Sequence, residues 1–221
     1  MDPGTLYIVS TPIGNLEDLS FRAKRVLSEV DLVAAEDTRK TKILLAAYGI
    51  GTPATSFHSH NASKKTPLVI DKLKKGMSVA LVSDSGTPGI SDPGSTLVSA
   101  CIKESVPLTA VPGPAALVMA LVLSGRPTNK FVFEGFLSNK AARRRKQLEG
   151  LKDEKRTVIV YESPHRIVKF LADFLDIMGD REIVLAREMT KKFEEIRRAR
   201  ASEQLEHFSK TKPKGEFIAI F

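Results

Sequence analysis

The run SDSGTPGISDPGS, Ser83 to Ser95, follows the apolar stretch SVALV. It holds three glycines (Gly86, Gly89, Gly94), two prolines (Pro88, Pro93), two aspartates (Asp84, Asp92) and no cation. A glycine-rich loop leaving a strand commonly cradles a phosphate on bare amides. This one matches neither GxxxxGK[ST] nor GxGxxG, and two carboxylates would repel a phosphate. A ligand bearing hydroxyls, an amino group or a positive charge suits it better. The competing reading is local: Asp84 and Asp92 cap turns and the helix expected to start near Ser95.

Two more turns of similar kind follow strand-like runs, TPIGN (11–15) and PGPAA (112–116). Ligands of parallel α/β sheets bind where strands lead into helices, and glycine and proline there let backbone approach a ligand closely. S-adenosylmethionine carries ribose hydroxyls, an α-ammonium and a sulfonium, and so fits an acidic, cation-free cradle.

Other residues with chemical reach lie at predicted strand ends. Glu36 and Asp37 in AAEDTRKT face the same sheet edge as the cradle, with Glu36 as a possible base and Asp37 or Thr38 as a helix cap. YESPHR brings Glu162, His165 and Arg166 to another strand end, where Pro164 fits a first helical turn. His165 is a candidate base, and Arg166 would hold a phosphate. His58, His60, His165 and His207 form no ligand pattern, so no metal is expected. Cys101 is the lone cysteine, expected as a small buried thiol.

These residues need elements to hold them. Short β-type runs (6–11, 31–36, 55–57, 78–83, 106–111) alternate with helical periodicities, which predicts a mostly parallel sheet covered by helices on both faces. A turn at SGRPTN is the expected linker, after which the pattern restarts: FVFEGF, a basic helix, TVIVYES, a long helix, EIVLARE, a charged stretch, SEQLEHF and GEFIAIF. The expectation is two α/β domains with mostly parallel sheets, spanning 1–125 and 126–221.

The 221 residues carry a net charge of +8. Between Gly76 and Gly125 the one cation is Lys103, while basic residues cluster elsewhere, at Arg39, Lys40 and Lys42, at Arg143, Arg144, Arg145 and Lys146, and at Arg197, Arg198 and Arg200. A cation-poor stretch inside a basic chain points to two kinds of ligand, one of them anionic. Consecutive arginines on a helix fan over ~300°, so at most two of Arg143, Arg144 and Arg145 face one surface. Aromatic residues are sparse, which argues against base stacking on exposed rings. No apolar run reaches the ~18 residues of a membrane span, and no signal peptide opens the chain, so the cytoplasm is the expected compartment.

The motifs TPIGNLEDLSFRAKRVLSEVDLVAAEDTRKT, VALVSDSGTPGISDPG, VPGPAA, GFLSNKAARRR, YESPHR and REMTKKFEE run in order through the chain. Together they resemble the bacterial methyltransferases that modify the ribose 2′-oxygen of a cytidine in the decoding region of small-subunit ribosomal RNA. These are members of the tetrapyrrole-methylase-like superfamily. The resemblance implies two α/β domains with S-adenosylmethionine in a cleft between them, usually in a homodimer. It implies donor contacts at Pro12, Asp84, Thr87, Ala115, Ala116, Tyr161 and Glu162. It leaves Glu36, His165 and Glu162 as candidates for proton removal, and Arg39, Lys40, Arg143, Arg144, Arg145 and Arg166 for RNA, within the assembled subunit. Three features depart from the pattern: Ala115 where serine is common, Ala199 where glycine is usual, and a chain that stops at Phe221 where many relatives continue with a helical segment. Two alternatives remain open at this point, a methyltransferase acting on a tetrapyrrole and a non-catalytic RNA-binding assembly protein.

Overall fold

The computed structural model describes residues 2–92 and 94–221; Pro93 of the acidic loop lies outside the described residues. The chain forms two compact units, Met1–Ala115 and Ala116–Phe221.

The first unit runs β1 (Leu6–Val9), α1 (Phe21–Glu29), β2 (Leu32–Ala35), α2 (Thr38–Ala47), β3 (Ala54–Ser56), α3 (Ala62–Lys74), β4 (Val79–Val82), α4 (Gly94–Lys103) and β5 (Leu108–Val111). Its strands form one all-parallel sheet in the order β3-β2-β4-β1-β5. Side chains alternate between the two faces of a strand, and here both faces are covered. Leu6, Ile8, Ala34, Val79 and Leu81 pack with Val69 and Leu73 of α3 and Leu97 and Cys101 of α4. Val9, Val33, Ala35, Ala80 and Val82 pack with Val26 and Leu27 of α1 and Leu45 of α2. That explains the uninterrupted VALV of the central strand, buried at every position. Burial pushes the Cys101 thiol up to about 11, which removes its thiolate reactivity. Because all five strands are parallel, the loops after β1, β2, β4 and β5 emerge on one edge.

The second unit comprises α5 (Ala116–Ser124), β6 (Phe131–Phe136), α6 (Ala141–Gly150), β7 (Thr157–Glu162), α7 (Ile167–Met178), β8 (Glu182–Arg187), β9 (Glu195–Arg200), α8 (Ala201–Lys210) and β10 (Phe217–Ile220). Its core gathers Phe170 and Phe174 of α7 with Val158, Val160, Ile183, Leu185, Phe208 and Phe217. The strand order is β6-β7-β10-β8-β9.

The α/β class expected from sequence holds, but "mostly parallel" describes the first sheet alone. In the second sheet β6 and β7 are parallel, whereas β10 is antiparallel to both β7 and β8, and β8 to β9. The cause is one connection. Every helix-linked pair of strands in this unit keeps its direction, but β8 reaches β9 through residues 188–194 with no helix, which reverses the chain. Strand β10 inherits the reversed direction through α8 and inserts between β7 and β8. Strand β9, EIRRAR, is the stretch that reads as merely charged; it is an edge strand, where exposed charge is usual.

Helix α5 also falls earlier than the expected linker would place the join. It packs against β8, β9 and β10 of the second unit. Arg198 of β9 donates to the carbonyls of Leu123 and Ser124, satisfying the helix C-terminus. Among the described residues no helix is long and apolar enough to cross a membrane.

Candidate active site

The acidic loop is folded back onto the end of β1. Gly86 and Thr11 exchange backbone hydrogen bonds, Thr11 N–H to Gly86 O at 2.9 Å and Gly86 N–H to Thr11 O at 3.0 Å. Gly86 has φ +82°, and a Cβ there would lie 3.3 Å from Ile13 Cγ2, so the turn requires glycine. The Thr87 hydroxyl donates to Pro114 O at 3.2 Å and lies 2.9 Å from Ser10 Oγ. With its one proton directed at Pro114, it accepts from Ser10. One threonine thus ties together the turns after β1, β4 and β5. A Cβ on Gly113 would come within 2.8 Å of Ser10 Cβ, so bare backbone is required at that turn as well.

The loop contains no cation, yet Asp84 has one. Its Oδ2 pairs with Lys40 Nζ at 2.7 Å, and its Oδ1 accepts from the Asp37 amide at 3.0 Å. In return the Asp84 amide donates to Glu36 Oε2 at 3.1 Å. The ends of β2 and β4 are therefore strapped together by Glu36, Asp37 and Asp84. Burial lifts the Glu36 carboxyl above its ordinary value, and the charges of Asp84 and Asp92 add to that, against the Asp84 amide and Lys40. Asp37 caps α2 through the Arg39 amide at 2.8 Å and also binds the Arg39 guanidinium, which holds its carboxyl far below the usual range. Asp92 is a turn cap: its Oδ1 accepts from the amides of Gly89 and Gly94.

In the second unit the YESPHR motif joins β7 to α7. The Glu162 carboxylate is buried, accepting from the Ser163 amide at 2.8 Å and lying 3.1 Å from Arg166 Nε. Burial raises its proton affinity, while Arg166 and Arg144 pull it back. Arg166 further donates to Leu137 O at 2.5 Å. The pair is a strut between β7, α7 and the end of β6. His165 is exposed in the intervening turn. Tyr161 is half-buried, with its ring edge-on to Phe133 at 4.9 Å and to Phe136 at 5.5 Å.

Comparison with known proteins fits this geometry. The family description "Tetrapyrrole (Corrin/Porphyrin) Methylases" matches residues 5–204. A Thermotoga maritima protein named ribosomal RNA small subunit methyltransferase I is 49% identical over 217 residues, 98% of this chain and 97% of that one. A protein of the same name from Synechocystis is 47% identical over 218 residues, 98% of this chain and 78% of its own. The chain belongs to the tetrapyrrole methylases and, within them, to the small-subunit ribosomal RNA methyltransferases. Solved structures share the fold at lower identity. Uroporphyrin-III C-methyltransferase of Thermus thermophilus superposes with a TM-score of 0.69 at 20% identity, covering 98% of this chain and 94% of that one. A cobalt-precorrin-4 methyltransferase of cobalamin biosynthesis gives 0.70 at 18%, with 98% and 94% covered. A further Thermus structure, solved with S-adenosyl homocysteine, gives 0.66 at 20%, with 98% and 96% covered.

The residues expected to meet RNA divide sharply. Arg143 is exposed on α6. Arg144 is 3% exposed and pairs with Asp173 at 2.6 Å, so it is an interior ion-pair partner and not a surface cation. Arg145 binds Asp173 at 3.1 Å and also Asp176. Arg39 is exposed and bound to Asp37, and Arg166 is committed to Glu162 and Leu137. Sequence reading missed the bond between Lys40 and Asp84, which are 44 residues apart. The available signal was the lysine one helical step beyond a strand-end carboxylate pair. Among the described residues no group of three or more His, Cys, Asp and Glu is placed to hold a metal ion.

Proposed function

We propose that this chain methylates small-subunit ribosomal RNA with S-adenosylmethionine as donor, at the ribose 2′-oxygen of a cytidine in the decoding region. The observation that carries the reading is 49% identity along 98% of the chain to a relative named for small-subunit ribosomal RNA. The edge of the first sheet supports the donor. Its turns are built of backbone too crowded for side chains at Gly113, and the Asp84–Lys40 pair there has a carboxylate for an ammonium or for hydroxyls. Pro12, Asp84, Thr87 and Ala115 would hold the donor from this unit. The Thr87 hydroxyl is already engaged, which leaves its backbone for the ligand. Ala116, Tyr161 and Glu162 are assigned from the second unit by the same family pattern, Glu162 through its backbone because its carboxylate is spent on Arg166.

When bound, the donor supplies an electrophilic methyl carbon, whose bond to sulfur breaks as the bond to the ribose oxygen forms. The protein's share is to align the two and to let the hydroxyl proton leave. Glu36, its proton affinity raised by burial, is the acceptor we assign on the first unit; His165 is the exposed alternative on the second. The same reading makes the protein a cytoplasmic homodimer.

The test uses isotopically labelled S-adenosylmethionine and small subunits from cells lacking the modification, with the RNA then digested and its nucleosides identified by mass spectrometry. Labelled 2′-O-methylcytidine is the expected product. Label in another nucleoside overturns the finer assignment, and donor binding without any RNA label points to a tetrapyrrole acceptor.

A further inference from the structure

The connection between β8 and β9 is more elaborate than a reversal needs. Seven residues, 188–194, contain two non-glycine residues in the left-handed region, Glu188 at φ +51° and Thr190 at φ +65°. For a β-branched threonine this is a costly conformation. The strain is clamped in place from several sides. Lys191 Nζ binds Glu188 Oε1 and Glu216 Oε2, both at 2.9 Å, and the Glu216 amide donates to Glu188 Oε1 at 3.0 Å. The Thr190 amide donates to Glu194 Oε2 at 2.6 Å, and Met189 is buried beneath. Gly215, at φ +83°, lies so close that a Cβ would come within 2.3 Å of the Glu188 side chain. What this framework holds up is Phe193, 66% exposed, with Lys192 Nζ 5.8 Å from its ring centre. The neighbouring 211–215 segment adds the exposed Lys212 and Lys214, the latter joined to β8 through its carbonyl and Arg187.

An exposed ring on a strained, hydrogen-bonded turn, with a lysine over it and two more lysines on the adjoining segment, has the composition of a stacking platform for single-stranded nucleic acid. We propose that Phe193 stacks on an unpaired base of the RNA, and that Lys192, Lys212 and Lys214 contact the adjoining phosphates. This rests on the reading of RNA as substrate and adds a base-binding position to it. Aromatic residues are sparse in the sequence as a whole; Phe21 and Phe136 are exposed as well, but Phe193 is the ring set on a strained turn with a lysine over its face. An apolar protein partner would use the ring's hydrophobicity, not its planarity, and would have little use for three lysines.

The experiment measures affinity of the whole chain for unmodified small subunits, donor affinity by calorimetry, and molecular mass by light scattering. Phe193→Ala and Phe193→Leu should weaken RNA binding about 5- to 100-fold, while Phe193→Trp retains it and donor affinity stays unchanged in all three. Lys192→Met should lower the dependence of RNA affinity on salt by about one ion, whereas Phe193→Ala should leave that slope alone. Wild-type affinity in Phe193→Leu overturns stacking. A change of mass in Phe193→Ala also overturns it, and assigns the ring to a protein interface. A wild-type chain that binds no subunits sinks the RNA reading together with this one; a wild-type chain that binds and methylates while every Phe193 variant matches it sinks this one alone.

Discussion

The Asp84 carboxylate is divided between an amide and an ammonium, and that division decides what its replacement would do. A cationic donor would compete with Lys40 for the same oxygen, so removal of the two partners should have unlike effects. Asp84→Ala should weaken donor binding about 10- to 100-fold, the range for one lost charge-assisted hydrogen bond, whereas Lys40→Met should leave donor binding equal or tighter. Calorimetry on both variants decides it, and equal losses would mean that Lys40 and Asp84 serve only the shape of the loop. Glu36 gives a prediction of a different sort. Its proton affinity is raised on folding, chiefly by burial, so the folded state binds more protons than the unfolded one above the ordinary value of 4.5. Stability therefore falls as pH climbs through that value toward the raised one. Glu36→Gln keeps a hydrogen-bond acceptor for the Asp84 amide and removes this one titration, so the decline in its melting temperature should be shallower, the remainder coming from Glu162 and Asp92, whose carboxyls burial raises likewise. A decline as steep as wild type would assign the pH dependence elsewhere.

At the scale of elements, Arg144 shows how an arginine run can mislead. It lies in the triplet Arg143–Arg145 at the start of α6, yet its side chain is 4% exposed and its partner Asp173 of α7 is 14% exposed. Removing one member of a buried pair leaves the other charge stranded. Arg144→Met should cost about 3 kcal/mol, tempered by the second contact of Asp173 with Arg145; chemical denaturation measures it. Pairing Arg144→Met with Asp173→Leu should restore most of the loss, and no restoration would mean that packing, not charge, dominates. Sequence periodicity reaches the helix but not this detail, because a triplet of identical residues carries no phase. The same limit hid β9, whose EIRRAR offers no apolar alternation, and the reversed direction of β10, which hangs on a connection with no helix. Where residues are apolar, as in VALV or in Phe170 and Phe174, pattern and burial coincide, since burial itself imposes the pattern. The strand-end turns were legible too, because glycine and proline are required there by backbone geometry. The Lys40–Asp84 bond was not, because contacts between distant strand ends depend on strand order.

For the whole molecule, a net charge of +8 overstates the surface available to RNA. Much of the basic sequence is already committed: Arg39 to Asp37, Arg145 to Asp173 and Asp176, Arg187 to Glu195, Arg200 to Asp180, and Arg198 to the end of α5. Phosphate affinity must come from cations that stay on the surface, and on α6 these are Arg143 and Lys146. Reversing both, with Arg143→Glu and Lys146→Glu, should weaken binding to small subunits and reduce its salt dependence by about two ions. Donor affinity and melting temperature should hold, because neither side chain is buried. Reversing Arg144 should instead lower the melting temperature and reduce RNA affinity only as far as the fold is lost. The contrast is decisive because charge alone treats the two substitutions alike. Equal loss of RNA binding at a constant melting temperature would place Arg144 on the surface and overturn its assignment to the interior. A double reversal with an unchanged salt slope would remove α6 from the RNA-binding surface and leave the turn at Phe193 to carry it.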